Sequence, residues 1–131
     1  GRTIYGTADK QSERALGQSR LAHLTIRAKT NENTLKKVAR DVMAWGESGE
    51  ICPDIERAAL RVRIGHIVRE SRNSVRDVTE ASGASAHNLT SPMQRSMRDL
   101  ETLSGHTVFD LDISTESYGR LLLGLPSNTP L

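Results

Sequence analysis

The sequence predicts a mainly α protein: a compact bundle of five to six short helices, with at most one short extended segment near residues 107–113. Three observations carry this. Hydrophobic residues make up 36% of the 131 residues and aromatics only 3%, so the core must be built from Leu, Ile, Val, Ala and Met, the palette of helical bundles. Apolar residues recur at three- and four-residue spacing along most of the chain. Glycines and prolines stand where these stripes begin and end.

Residues 1–10 carry no periodicity and two glycines, and read as a flexible N-terminal arm. The span 11–125 reads as one helical domain, a length suited to a single core, and 126–131 as a flexible tail. Within the domain, Leu16, Leu21, Leu24 and Ala28 mark a first helix from about Ser12 to Lys29. Thr30-Asn31-Glu32-Asn33 reads as a polar break with capping residues, and Leu35, Val38, Val42 and Met43 mark a second helix that Gly46 and Gly49 stop. Pro53, with Asp54 and Glu56 behind it, opens a third helix to about Ser71. Its apolar arc, from Ile55 to Val68, is wide enough for a central helix. Ser74 is read as the cap of a fourth helix ending near Gly83. Ser91-Pro92-Met93-Gln94 is a capping-box start for a fifth, with Met93, Met97, Leu100 and Leu103 on one face and Gly105 at its end. Phe109, Leu111 and Ile113 alternate with Asp110 and Asp112, the period of an extended segment. Ser114 then caps a last helix, roughly Thr115 to Leu123.

Charge is the most informative feature. Arg57, Arg61, Arg63, Arg69, Arg72 and Arg76 fall within twenty positions together with one acid, Glu70, and no lysine; six positive charges against one negative give a formal +5. The planar guanidinium fork suits phosphate and carboxylate oxygens, so the stretch points to a polyanion or an acidic partner. From Asp99 to Glu116 the balance reverses, with five acids and no Lys or Arg. The two segments can meet within the fold or between copies. The net charge of the whole chain is only +2.

Two stretches resemble the helix-turn-helix superfamily. Residues 21–38 place Leu24, Ala28, Leu35 and Val38 at its apolar positions, and residues 75–92 place Gly83 at its turn. The resemblance implies a second helix lying in the major groove of DNA.

Other chemistries find little support. His23, His66, His87 and His106 lack metal-ligand spacing, and the lone Cys52 cannot complete a zinc site. No H-E-x-x-H, Walker loop or G-x-S-x-G occurs. No metal, cofactor or catalytic residue is therefore expected, and the chain is expected not to be an enzyme. A single cysteine leaves no intramolecular disulfide, which leans to a reducing, intracellular setting, cytoplasmic or nuclear/nucleoid. No apolar run approaches the length of a membrane span and no secretory leader is visible. The opening on Gly1 without Met leads us to expect an excised or processed product.

The leading expectation is a non-enzymatic nucleic-acid-binding protein, regulatory or packaging, able to take DNA or RNA. The six arginines would contact phosphates, helped by Lys36, Lys37 and Arg40. The alternative is a protein-interaction or assembly module, a homo-oligomer or partner-docking effector, that binds no nucleic acid. There the surface would be Trp45 with the acids Asp99, Glu101, Asp110 and Asp112.

Overall fold

In the computed structural model, which describes residues 10–131, the chain forms four α-helices: α1 Ala15–Ser48, α2 Asp54–Ser82, α3 Pro92–Ser104 and α4 Leu111–Leu122. Short 3-10 turns lie at Gln11–Glu13, Ala84–His87 and Thr107–Phe109. The mainly α class is as the composition predicts, and no strand element occurs among the described residues. Nearly all of the expected N-terminal arm lies outside the described residues. The helices are fewer and longer than the sequence suggests. Two run to 34 and 29 residues.

The polar break expected at Thr30–Asn33 is not a break. Thr34 Oγ1 donates to the Thr30 carbonyl within the helix at 2.9 Å, and Glu32 pairs with Lys36 one turn on. Asn31 reaches across to α2, where its Nδ2 donates to the Ile67 carbonyl at 3.4 Å and to Ser71 Oγ at 3.3 Å. Polar residues that cap a helix in isolation here bond inside it or to a neighbour. Ser74 behaves alike. It starts no helix, because its hydroxyl donates back to the Glu70 carbonyl at 2.8 Å and α2 runs on through it.

The extended segment expected near 107–113 is also helical. Thr107–Phe109 is a 3-10 turn, and Asp110 then caps α4, its Oδ1 accepting from the backbone N–H of Asp112 at 3.1 Å and of Ile113 at 3.2 Å. Leu111, Ser114 and Ser117 are buried at a spacing of three, a helical face. Two of the three are serines, so a reading based on hydrophobicity sees only the alternation of Phe109, Leu111 and Ile113. At α3 the signature is realised as read: the Ser91 hydroxyl accepts from Met93 N–H at 3.3 Å and Pro92 takes the first position.

Helix α2 packs against α1, α3 and α4 in turn. It supplies Ala58, Ala59, Leu60 and Val68 to the core, joined by Val38 of α1, Ala86, and Leu111 of α4. Small side chains make this possible. A Cβ at Gly65 would sit 3.1 Å from Leu111 Cδ1 and 3.6 Å from the Phe109 carbonyl oxygen, so the glycine sets how near α4 can come. The α1–α2 seam is mostly polar. Arg27 bridges Glu70 at 3.3 Å and Asp77 at 2.8 Å, and Asp41 takes Lys37 at 2.9 Å and Arg63 at 3.2 Å. Only Val38 of α1 is fully buried.

Two stability results are expected. Leu111→Ala should cost about 2–4 kcal/mol, and Gly65→Val about 1–3 kcal/mol by overpacking, both read from urea unfolding. The hydrogen bond from Lys37, aided by its charge and those of Arg63 and Arg40, holds the Asp41 carboxyl below its ordinary value of 3.8. Its contribution is thus present above that value and is lost as pH falls through the lower folded-state pKa. The melting temperature of Asp41→Asn should therefore trail the wild type at neutral pH and draw level in strong acid.

Candidate functional site

On the side of α2 away from α1, Arg69, Arg72 and Arg76 face the end of α3 and the turn into α4. Arg76 Nη2 reaches Glu101 Oε1 at 3.0 Å, and Arg72 Nη1 reaches Glu101 Oε2 at 3.7 Å. Arg72 Nη1 also donates to Ser104 Oγ at 3.1 Å, and that hydroxyl donates to the Glu101 carbonyl at 3.0 Å. Arg69 stands 3.5 Å from Asp112. Basic middle and acidic later segment meet here, within one chain. Between them lies a cleft of about 200 Å³, lined by Arg69, Arg72, Ser104, Phe109, Asp110 and Asp112 over a floor of Gly65, Val68 and Leu111. Arg72 Nε is buried in it without a hydrogen-bond partner.

The turn over the cleft is well fixed. His106 Nδ1 accepts from Val108 N–H at 3.2 Å, which leaves Nε2 to carry the proton of the neutral ring. The ring also meets Phe109 edge-on, with centroids 6.1 Å apart. Phe109 N–H donates to the His106 carbonyl at 2.8 Å. Exposed and held in one tautomer, this imidazole presents its Nε2–H as a hydrogen-bond donor.

The remaining candidate residues are dispersed. Arg57 pairs with Asp54 on its own helix, Arg61 donates to the Pro130 carbonyl at 2.6 Å, and Arg63 pairs with Asp41. Lys36 and Lys37 are engaged on α1 with Glu32 and Asp41, and Arg40 lies exposed beside them. Five of the six arginines share one side of α2 and only Arg63 turns to α1, but the five are engaged by Asp54, the Pro130 carbonyl, Asp112, Ser104 and Glu101 rather than left as a free phosphate-facing stripe. Asp99 pairs with Arg95 at 3.6 Å on α3, Asp110 is a helix cap, and half-buried Trp45 lies on the face of α1 turned to α2. Charge-based reading missed Gly65, Ser104, His106 and Phe109. A glycine inside the apolar run of α2 was the available sign of a close approach.

Four helices with a long pair among them, and a cleft closed by the α3–α4 turn, define an all-α helical domain. The chain belongs to the family "acyl-CoA dehydrogenase, C-terminal domain", which matches residues 1–111. It is 28% identical over 123 residues to the pigment production hydroxylase of a Rhodococcus species, covering 94% of this chain and 31% of that one. XiaF from a Streptomyces species, solved in complex with FADH2 and glycerol, superposes with a TM-score of 0.90 at 22% identity, over 98% of this chain and 33% of that one. The HsaA monooxygenase from M. tuberculosis gives 0.79 at 25% identity, over 95% and 32%. The 3-HSA hydroxylase of Rhodococcus sp. RHA1 gives 0.80 at 24% identity, over 90% and 31%. The chain therefore spans about a third of the length of these relatives.

These findings overturn the helix-turn-helix resemblance. Residues 21–38 lie inside one uninterrupted helix, and residues 75–92 run from the last turns of α2 through a 3-10 turn to the start of α3. The nucleic-acid-binding expectation falls with it, as does the assembly-module alternative, because the family is a domain of an enzyme and its relatives are named as hydroxylases and a monooxygenase. The expectation of a non-enzymatic protein falls for the same reason. Among the described residues, no helix is long and apolar enough to cross a membrane.

Arg72 offers a test of what the cleft contributes. Arg72→Ala should lose about 1–3 kcal/mol by removing both the packed stem and the bonds to Ser104 and Glu101. Arg72→Met, which keeps the stem and removes the unpartnered Nε, should lose clearly less in the same urea titration.

Proposed function

We propose that this chain is the C-terminal helical part of a flavin-dependent hydroxylase, one that uses reduced flavin and oxygen and works as a homo-oligomer. The observation that carries the reading is the similarity to the pigment production hydroxylase across 94% of the chain. The fold it shares with XiaF, solved with FADH2, agrees with it. The cleft itself does not fit a flavin. Its volume of about 200 Å³ falls below the roughly 300–1,000 Å³ of pockets that enclose organic ligands. A second hollow of about 420 Å³ is walled by Ala22, His23, Ile26 and Arg27 of α1 alone. In this reading the chain gives the flavin enzyme a rigid wall, and the remaining walls come from elsewhere in the protein or its neighbour.

His106 is the side chain of this wall with the clearest chemical use. Its fixed ring leaves the Nε2 proton directed away from the backbone that Nδ1 engages, where it can donate a hydrogen bond to an oxygen of a bound substrate.

The full gene product should bind FADH2 or FMNH2 in an anaerobic titration and consume oxygen with formation of a hydroxylated product. His106→Asn should cut turnover about 10²-fold or more while leaving the melting temperature within a degree or two. Failure to bind reduced flavin would overturn the reading. Oxidation of an acyl-CoA thioester in place of hydroxylation would redirect it to dehydrogenase chemistry.

A further inference from the structure

The turn that carries His106 is tied to α2 at both of its ends. After it, Leu111 seats so close to Gly65 that a Cβ on the glycine would lie 3.1 Å from Leu111 Cδ1. Before it, the ties are polar. The Glu101 carbonyl accepts from Gly105 N–H at 3.2 Å and from Ser104 Oγ at 3.0 Å, which closes the last turn of α3. His106 follows at once, its N–H donating to the Leu103 carbonyl at 3.1 Å.

Arg72 holds that closure from α2. Its Nη1 donates to Ser104 Oγ at 3.1 Å and lies 3.7 Å from Glu101 Oε2. One nitrogen thus engages both residues on which α3 ends. The Ser104 hydroxyl accepts from Arg72 and donates to the Glu101 carbonyl, so its orientation is fixed and each bond strengthens the other. Arg76 takes the other oxygen of the same carboxylate at 3.0 Å. Arg72 is the more buried of the pair, at 32% against 53% side-chain exposure, and it is the one that bonds to Ser104.

The contacts of the imidazole are local by comparison. Its hydrogen bond to Val108 N–H and its edge contact with Phe109 both stay within the turn. Wherever the turn stands, the ring stands with it. An ion pair as open to water as Arg72–Glu101 adds little stability, whereas displacing a reacting group by about 1 Å can cost on the order of 10²-fold in rate. The grip of Arg72 therefore matters more to where His106 is than to whether the domain folds.

We propose that Arg72 is a positioning residue, which through Ser104 and Glu101 sets where His106 stands over the cleft. The role rests on the hydroxylase reading, in which His106 meets the substrate.

Steady-state hydroxylation by the full gene product tests it, with FADH2, oxygen and a panel of phenols, whose oxygen suits the Nε2–H donor. Melting temperatures of the same samples show that each variant is folded. Arg72→Met and Ser104→Ala should each lower kcat about ten-fold with KM close to that of the wild type. Ser104→Thr keeps the hydroxyl and should stay near the wild-type rate. Added to His106→Asn, Arg72→Met should lower the rate no further, because the group it places is already gone. A merely structural loss would multiply with the loss from His106→Asn. A wild type that hydroxylates none of the phenols defeats the hydroxylase reading and this role with it. A wild type that does so while Arg72→Met or Ser104→Ala matches its rate overturns the positioning role alone, and so does multiplication of the two losses in R72M/H106N.

Discussion

Everything in this fold depends on surrounding one long helix with three others while burying few large apolar side chains. α2 meets that constraint with small residues at the contacts and arginines at their edges. Ala58, Ala59 and Gly65 let the neighbouring backbones close in. Arg63, Arg69, Arg72 and Arg76 then extend from the margins to carboxylates on α1, α3 and the start of α4. Ion pairs this exposed add little energy each, but a guanidinium fork is selective about geometry. They fix the angular position of α2 among its neighbours more than they raise its stability. An arginine-rich helix in a chain of nearly neutral net charge is therefore better understood as an internal matching of charges than as a surface for a polyanion.

The class of the fold was legible in the sequence because so few aromatics and so many three-and-four spacings leave little else. Ser91-Pro92 and Gly105 located α3 closely, since those residues act through local backbone geometry. The number of helices was not legible. Asn31 and Ser74 are cap formers by local rule, and only the presence of a neighbouring helix, or of a carbonyl one turn back, decides that they bond there instead. The start of α4 was hidden by Ser114 and Ser117, polar residues that are nonetheless buried: Ser114 Oγ donates to the Asp110 carbonyl at 2.7 Å and Ser117 Oγ lies 2.6 Å from Ser127 Oγ. The cleft was half legible. Charge pointed to Arg69, Arg72, Asp110 and Asp112 and allowed that the basic and acidic segments meet, but not that they do so around a cleft within one chain. Histidine spacing said nothing of His106, whose character comes from a hydrogen bond two residues away.

The enzyme reading was out of reach for a different reason. Motifs for catalysis are recognisable when one segment carries most of the chemistry, as a phosphate loop or a zinc helix does. A helical wall carries almost none by itself. The chain matches about a third of the length of its relative, and a helical segment of that kind shows packing rules rather than reaction signatures. Fold and site must then be argued apart, with the family match supplying the link that residue types lack.

The polypeptide closes on itself at both ends of α2. Gln11 Nε2 donates to the Ala81 carbonyl at 3.1 Å near its C-terminal end. Nearer its beginning, Arg61 donates to the carbonyl of Pro130, next to the last residue, while Arg120 holds the Pro126 carbonyl and Asn128 holds Glu116. The central helix is thus clasped near both of its ends by segments remote from it in sequence, so fraying at either end must first break a side-chain bond to a carbonyl that neither belongs to the helix's own ladder nor is replaced by it.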